Sequence, residues 1–167
     1  KLTLNPIIED EFIDRDLTIN DYINEIIKSF QETSNNKFVL NCDQNSNSIS
    51  ITKSIEIVYG LRNFIGNANK FCKNKVFINI KSDSDFTEII IEDDGEGYSR
   101  DVLSKIGEPY IKSLKSSTKS KSGLGLGIFI GKTLLEKNYA NILCRNSKTR
   151  SGAEVSIKWK NKDLVNL

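Results

Sequence analysis

The sequence contains no histidine and no methionine, and it has only two prolines and three cysteines among its 167 residues. Without histidine a zinc site is not expected, because widely separated cysteines do not match the ligand spacing of structural zinc. No apolar run approaches the roughly 20 residues that a membrane span needs, so we expect no membrane contact by this chain. The net charge is only +2, which gives no reason to expect nucleic acid as a partner.

The three cysteines are Cys42, Cys72 and Cys144, and they lie far apart. We interpret them as small buried hydrophobic residues in a reducing cytoplasm, and no motif assigns a redox role to any of them. The chain also lacks an initiating methionine and a signal peptide, which indicates a piece of a longer protein. Residues 1–17 show no sustained periodicity and are interpreted as a linker from an upstream segment, whereas 18–167 form the domain.

Helical periodicity predicts three main helices. Thr18 and Asp21 form a capping box before a helix whose apolar residues recur at spacings of three and four. Its apolar face comprises Ile19, Tyr22, Ile23, Ile26, Ile27 and Phe30. A second helix is predicted over 54–73 and a third over 125–137, with a short helix near 100–106. The buried stripe predicted for the second helix comprises Ile55, Val58, Leu61, Ile65, Ala68 and Cys72.

Alternating apolar patterns and turn residues predict six strands. They cover residues 37–41, 48–53, 76–80, 86–91, 139–145 and 153–160. Together the elements predict an α/β (α+β) domain, a two-layer sandwich in which a mixed, mostly antiparallel sheet carries the three main helices on one face. The long connection over 94–122 ends in a Ser- and Lys-rich stretch, and connections of this length are usually functional or disordered.

The second helix carries Asn63, Asn67 and Lys70 at positions i, i+4 and i+7, which share one face. Amide oxygens are hard ligands for Mg²⁺, and a lysine offers a point charge to phosphate. A solvated polar face is the alternative interpretation, and this helix alone does not decide between the two.

A second motif, Asp-Asp-Gly-Glu-Gly over 93–97, follows a strongly apolar strand. Asp-Gly is a common turn signal, so an ordinary turn is one interpretation. The other is a binding site, because a fixed carboxylate at Asp93 can only accept hydrogen bonds and the adenine 6-amino group is a donor. Gly95 and Gly97 would let the backbone approach a flat base.

The third motif is Gly-Leu-Gly-Leu-Gly over 123–127, which leads into the third helix. Backbone N–H groups at a helix start bind phosphate without side chains. No Gly-Lys-Ser/Thr follows, so this is not a Walker A loop, and the preceding flexible loop argues against a Rossmann motif. A hinge or a tight helix-packing site is the alternative. Four lysines before the strip are either phosphate ligands or simply solvated, namely Lys112, Lys115, Lys119 and Lys121.

Taken together, the motifs resemble the ATP-binding domain shared by gyrase, Hsp90, sensor histidine kinases and MutL, which has the Bergerat fold. Asn-Phe-Ile-Gly-Asn-Ala-Asn-Lys-Phe over 63–71 is similar to the N box and 93–97 to the G1 box. Gly-Glu-Pro-Tyr over 107–110 is similar to the F box and 123–127 to the G2 box. The resemblance covers residues 18–160.

The resemblance implies a set of site residues. Asn63 is expected to coordinate Mg²⁺, Asn67 and Lys70 to contact phosphates, Asp93 to bind the adenine amino group, and Tyr110 to anchor the lid. The remaining expected ATP contacts are Phe71, Gly95, Gly97, Gly123, Leu124, Gly125, Leu126 and Gly127. No residue of this chain is assigned a catalytic role.

One position indicates the branch of the family. The ATPase branches carry a water-activating glutamate where this chain has Asn63, and an amide cannot take that proton. The kinase pattern therefore fits better, and within it the chain resembles the RegB/PrrB type of redox-responsive sensor histidine kinase. The alternatives are an ATPase of the gyrase or chaperone kind, a catalytically silent nucleotide-sensing module, and an anti-sigma-type Ser/Thr kinase.

The resemblance implies a two-component kinase domain that uses ATP and Mg²⁺. Since the chain has no histidine, the phosphoacceptor is expected on an upstream dimerisation domain of the parent, followed by relay to a response regulator. We expect a cytoplasmic, monomeric fragment whose parent is anchored in the bacterial inner membrane, and a mobile lid over 111–122.

Overall fold

The computed structural model describes residues 17–43, 50–51, 54–106 and 124–165. Within these ranges, no helix has the length and apolar character to cross a membrane. The elements that matter for the site are three long helices and a five-stranded sheet.

Helix α1 (Ile19–Gln31) begins at the predicted cap. The Asp21 backbone N–H donates to Thr18 Oγ1 at 3.2 Å, and the Thr18 N–H donates to the Asp21 carboxylate at 2.9 Å. The two bonds satisfy backbone donors that a helix start leaves unpaired. The predicted apolar face is confirmed: five of its residues are buried, and Phe30 packs against the same core.

The main sheet has the strand order β2-β4-β5-β7-β6. Its strands are β2 (Lys37–Cys42), β4 (Lys75–Ser82), β5 (Phe86–Asp93), β6 (Asn141–Asn146) and β7 (Ala153–Lys160). β2 pairs with β4 in parallel, and the other three pairings are antiparallel. The predicted mixed, mostly antiparallel sheet is therefore confirmed.

Four short elements complete the described fold. β1 (Leu17–Thr18) and β3 (Ser50–Ile51) pair antiparallel as a second, two-stranded sheet. Helix α3 (Arg100–Lys105) is the predicted short helix, whereas the final helix α5 (Asn161–Val165) was not predicted. Its first residue, Asn161, is held by Asp83 and Thr87 of the β4–β5 hairpin, which a helical pattern in the sequence does not reveal.

Helix α2 (Ile55–Phe71) buries a face that differs in part from the predicted stripe. Leu61, Ile65 and Ala68 are buried as expected, but Ile55 is 59% exposed. Ile57 and Phe64 are buried, although the predicted stripe does not include them. The predicted stripe was wrong at Ile55, in the first turn of α2. The buried face is also broader than one row, because α2 packs against the sheet, helix α1 and helix α4 (Leu124–Lys137).

Helices α2 and α4 approach each other closely at glycines. A Cβ added at Gly60 would lie 2.5 Å from Leu135 Cγ, and one at Gly131 would lie 2.9 Å from the Phe64 ring. Both distances are shorter than real Cβ contacts, so larger residues would push the helices apart. Leu135 and Phe64 are themselves buried, which leaves little room for adjustment.

The cysteines are less buried than predicted. Cys42 is exposed on the edge strand β2, so its interpretation as a buried residue was wrong. Cys72 and Cys144 are half-buried and pack against the core. Burial raises the pKa of both thiols to about 11, so each is protonated near neutral pH. A protonated thiol is a poor nucleophile, which agrees with a structural role.

The glycines of α2 provide a matched test of helix packing. We expect Gly60→Ala to lower the free energy of unfolding by about 1–3 kcal/mol, because its methyl overlaps buried Leu135. Gly66→Ala in the same helix meets only the tip of the half-buried Phe30 ring at 3.1 Å. It should be neutral or stabilising by up to about 1 kcal/mol through helix propensity. Urea denaturation of both variants measures this, and equal stabilities would contradict the packing argument.

Candidate functional site

A cavity of about 260 Å³ opens between helix α2, the carboxyl end of β5 and the loop that follows it. This volume is slightly below the usual range of small-molecule pockets. Its lining comprises Phe64, Asn67, Ala68, Phe71, Lys73, Ile91, Asp93, Gly95, Glu96, Gly97, Tyr98, Ala153 and Val155. The second helix and the 93–97 motif, predicted separately from the sequence, therefore meet at one cavity.

Asp93 is the last residue of β5 and is only 3% exposed. The backbone N–H of Gly95 donates to its Oδ1 at 2.8 Å, and that of Ala153 donates to the same atom at 3.4 Å. Burial raises the pKa of Asp93 above its ordinary value, and neighbouring Asp94 adds to the increase, although the two N–H bonds oppose it. Both hydrogen bonds are accepted by Oδ1, and Oδ2 takes part in neither of them. The carboxylate can therefore accept a hydrogen bond from a group in the cavity.

Two glycines lie so close to this carboxylate that neither position has room for a side chain. A Cβ at Gly95 would lie 2.2 Å from the Phe71 carbonyl oxygen and 2.9 Å from Asp93 Oδ1. A Cβ at Gly152, in the β6–β7 hairpin, would lie 2.3 Å from Asp93 Oδ1. Gly152 was missed from the sequence, where Ser-Gly between two strands indicates only a turn.

Asp94 lies beside Asp93 in the motif but serves the fold. Its Oδ1 accepts the backbone N–H groups of Lys73, Asn74 and Lys75 at 2.8, 3.0 and 3.2 Å. Slight burial would raise the pKa of Asp94, but these hydrogen bonds outweigh it and the pKa is lowered. The turn from α2 into β4 is thus fastened by this carboxylate.

The predicted site residues of helix α2 differ in whether they line the cavity. Asn67 lines the cavity, and its Nδ2 is buried without a hydrogen-bond partner among the described residues. Phe71 also lines the cavity and is 38% exposed, with the Lys70 ammonium 5.4 Å from its ring centroid. Asn63 lies one turn earlier, outside the cavity lining, and its Nδ2 donates to the Tyr59 carbonyl oxygen at 2.8 Å.

Asn63 and Asn67 fit a magnesium ion by the chemistry of their donor atoms. Amide oxygens are hard ligands, and the bond from Asn63 uses its nitrogen, not its oxygen. Across the described ranges, no cluster of three His, Cys, Asp or Glu side chains could hold a metal alone. A magnesium ion here would accordingly need ligand phosphates and water to complete its shell.

The glycine strip is described only in part. Leu124 and Gly125 form the start of α4, Leu126 is 42% exposed, and Gly127 packs against Asn67. A Cβ at Gly127 would lie 3.0 Å from Asn67 Oδ1, so this glycine lets α4 approach the cavity. The predicted contacts Tyr110 and Gly123, the lid over 111–122 and the lysines at 112, 115, 119 and 121 lie outside the described residues.

The β6–β7 hairpin is fastened to the opposite face of the sheet. Buried Glu92 accepts hydrogen bonds from Ser147 Oγ at 2.8 Å and from Arg150 Nε at 3.2 Å. The Arg150 guanidinium lies 3.6 Å from the Phe77 ring centroid. These contacts fix the hairpin that presents Gly152 and the Ala153 N–H to Asp93.

Comparison with known proteins identifies the family. Residues 52–163 match the family model described as "Histidine kinase-, DNA gyrase B-, and HSP90-like ATPase". This match covers more than half of the chain, and the chain belongs to that family of ATP-binding domains.

Individual relatives agree with this assignment. The chain is similar to the sensor histidine kinase RegB of Cereibacter sphaeroides, with 34% identity over 124 residues, which cover 65% of this chain and 27% of that protein. The catalytic domain of histidine kinase ThkA superposes with a TM-score of 0.70 at 19% identity, covering 88% of this chain and 96% of that one. Mycobacterial sensor histidine kinase MprB gives 0.68 at 16% identity, covering 86% and 95%.

These matches confirm the resemblance to the histidine kinase ATP-binding domain, including that to RegB, and the α/β sandwich of the Bergerat type. The chain spans about a quarter of the length of the curated relatives it matches.

The adjacent aspartates should affect stability in opposite directions. The folded pKa of Asp93 is raised, so its contribution to stability is present below pH 3.8 and is lost as the pH rises through the folded pKa. The folded pKa of Asp94 is lowered, so its contribution is present above pH 3.8 and is lost as the pH falls through the folded pKa. At pH 7 we expect Asp93→Asn to leave the ligand-free melting temperature unchanged or raised, and Asp94→Asn to lower it.

The difference between Asp93→Asn and wild type should shrink as the pH falls from 7 toward 4, because Asp93 takes up its proton above pH 3.8. The difference between Asp94→Asn and wild type should persist over this range, because Asp94 takes up its proton only below pH 3.8. Thermal melts of the two variants between pH 4 and pH 7.5 measure this. Destabilisation of the same size by both substitutions at pH 7 would show that Asp93 is not a costly buried charge.

Proposed function

We propose that this chain is the ATP- and Mg²⁺-binding catalytic domain of a two-component sensor histidine kinase, donating the ATP γ-phosphoryl group to a histidine elsewhere in its parent protein. The observation that carries the proposal is the buried Asp93 carboxylate. It accepts hydrogen bonds from two backbone N–H groups and lines a cavity.

Adenine fits the chemistry of this end of the cavity. Its 6-amino group would donate to the Asp93 carboxylate, whereas guanine presents an oxygen at that position and would be repelled. Phe71 and Ile91 supply apolar surface to the flat base, and Gly95 and Gly97 let the backbone lie beside it. Burial makes the selection stronger, because water cannot replace a missing hydrogen bond there.

The phosphates would extend toward the contact between α2 and α4. Asn67 and Gly127 meet there, Asn63 lies one helical turn away, and the N-terminus of α4 offers backbone N–H groups. Lys70 supplies a positive charge at the exposed edge. Asn63 would hold a magnesium ion that neutralises phosphate charge, and Asn67 would contact the phosphates.

The proposed chemistry is phosphoryl transfer to an imidazole nitrogen. The bond between the γ-phosphorus and the ADP oxygen breaks as a nitrogen–phosphorus bond forms, and ADP leaves. The protein contributes position and charge neutralisation. Asn63 cannot act as a general base toward water, so hydrolysis by this chain should be slow. The chain contains no histidine, so the acceptor lies on another segment.

The parent protein would supply the remaining parts. We propose that residues 1–17 link this domain to an upstream dimerisation and phosphoacceptor domain, and that the phosphoryl group passes on to a response regulator. The proposed setting is the cytoplasmic side of the bacterial inner membrane, with the parent anchored there and this domain itself monomeric. The support is the similarity of the chain to part of RegB and related sensor kinases.

Two other functions use the same cavity. An ATPase would release phosphate rapidly without a partner, and the amide at Asn63 argues against it. A nucleotide-sensing module would bind ATP equally well but would never label a phosphoacceptor. Turnover and transfer assays separate all three.

Replacing the proposed base-recognition residue should weaken nucleotide binding. We expect Asp93→Asn to cost roughly 1.5–3 kcal/mol of ATP binding, the size of a hydrogen bond to a charged group. Titration with a fluorescent ATP analogue measures it. Asp101→Asn, an exposed aspartate on α3, is the control and should bind as wild type. Equal affinities of the Asp93→Asn variant and wild type would refute the assignment of Asp93.

Phosphotransfer can be tested with the separated parts. The chain is mixed with radiolabelled Mg·ATP and the upstream segment of its parent. Acid-labile, base-stable phosphate should appear on that segment, while the chain alone releases phosphate slowly. Rapid release without the segment would favour the ATPase, and tight ATP binding without any label would favour the sensing module.

A further inference from the structure

The loop that closes the cavity after Asp93 is held by one side chain of β6. The Tyr98 backbone N–H donates to Asn146 Oδ1 at 2.6 Å, and Asn146 Nδ2 donates to the Tyr98 carbonyl oxygen at 3.0 Å. A single amide thus satisfies both backbone groups of one loop residue. The two partners are complementary, which also fixes the orientation of the amide.

The same amide fits the glycine before Tyr98. Gly97 has a φ of +79°, a conformation that favours glycine, and a Cβ there would lie 2.6 Å from Asn146 Oδ1. Gly97 and Tyr98 both line the cavity, whereas Asn146 does not. Asn146 therefore contacts the wall of the cavity from outside.

The side chain of Tyr98 also lies against strand β6. Its hydroxyl lies near the Cys144 thiol, two residues before Asn146 on β6, and burial together with this thiol raises the pKa of the Tyr98 hydroxyl. Tyr98 also packs against the hydrophobic core. The backbone of Tyr98 is consequently held by the strand that leads into the β6–β7 hairpin, and its side chain lies beside the same strand.

We propose that Asn146 is a positioning residue for the base pocket: by clamping the backbone of Tyr98 it fixes the Gly95–Tyr98 wall beside Asp93. This inference rests on the proposed function for the identity of the ligand. Without the clamp, the wall samples other positions, and nucleotide binding must then order it at a cost in affinity.

The test compares Asn146→Ala with Asn141→Ala, which removes an exposed asparagine at the other end of β6. We expect Asn146→Ala to weaken ADP binding about five- to tenfold in calorimetric titration, the scale of one net hydrogen bond. Asn141→Ala should bind as wild type. Titrations are run well below the melting temperature of each variant. If Asn146→Ala does not fold, Asn146→Ser, whose shorter side chain cannot span both groups, replaces it.

A local readout separates positioning from general destabilisation. Exchange of the Tyr98 amide hydrogen should be slow in the wild-type chain without nucleotide and faster in Asn146→Ala, while amides of β4 and β5 keep their protection. Unchanged ADP affinity, or weaker binding with unchanged Tyr98 exchange, would overturn the inference. If the wild-type chain itself fails to bind ADP, the proposed function falls and this inference falls with it.

Discussion

The close approach of helices α2 and α4 is the constraint on which the rest of the structure depends. The two helices touch at positions without side chains, with Gly60 against Leu135 and Gly131 against Phe64. Further along the same contact, Gly127 packs against Asn67, so the packing that completes the core also brings the glycine strip to the cavity. Stability and site geometry therefore depend on one interhelical distance.

The strand β5 connects the core to the site through alternate residues. Ile89 and Ile91 face the helices, and Glu92 faces the opposite side of the sheet. Asp93 then ends the strand at the cavity, where the same hairpin that binds Glu92 also encloses the carboxylate. The contacts of Glu92 on one face of the sheet thus position the hairpin that holds the Asp93 carboxylate on the other face.

Most of the fold could be predicted from the sequence, because its helices and strands have strong local periodicity. The capping box at Thr18 and the alternation in β4, β5 and β7 are local signals, and the structure confirms them. The errors arose where tertiary contacts decide the outcome. Ile55 is exposed although its spacing fits the stripe, and α5 depends on hydrogen bonds to a distant hairpin.

The candidate site divides in the same way. Residues in contiguous motifs, such as Asp93 and Asn67, were found because residue type and spacing carry the chemical argument. Gly152 and Asn146 were missed because each acts from another strand, through contacts that only folding creates. Asp94 was given no role from the sequence, and its three hydrogen bonds hold the turn from α2 into β4, which only the folded chain reveals.

The enclosure of Asp93 by Gly95 and Gly152 has a consequence for relatives of this domain. Any side chain at either position would occupy space now filled by the carboxylate or by the Phe71 carbonyl group. The aspartate and the two glycines therefore depend on one another, although Gly152 is far from the other two in the sequence. A homologue that retains the acid but carries a larger residue at either glycine should have lost the purine recognition that we propose for Asp93.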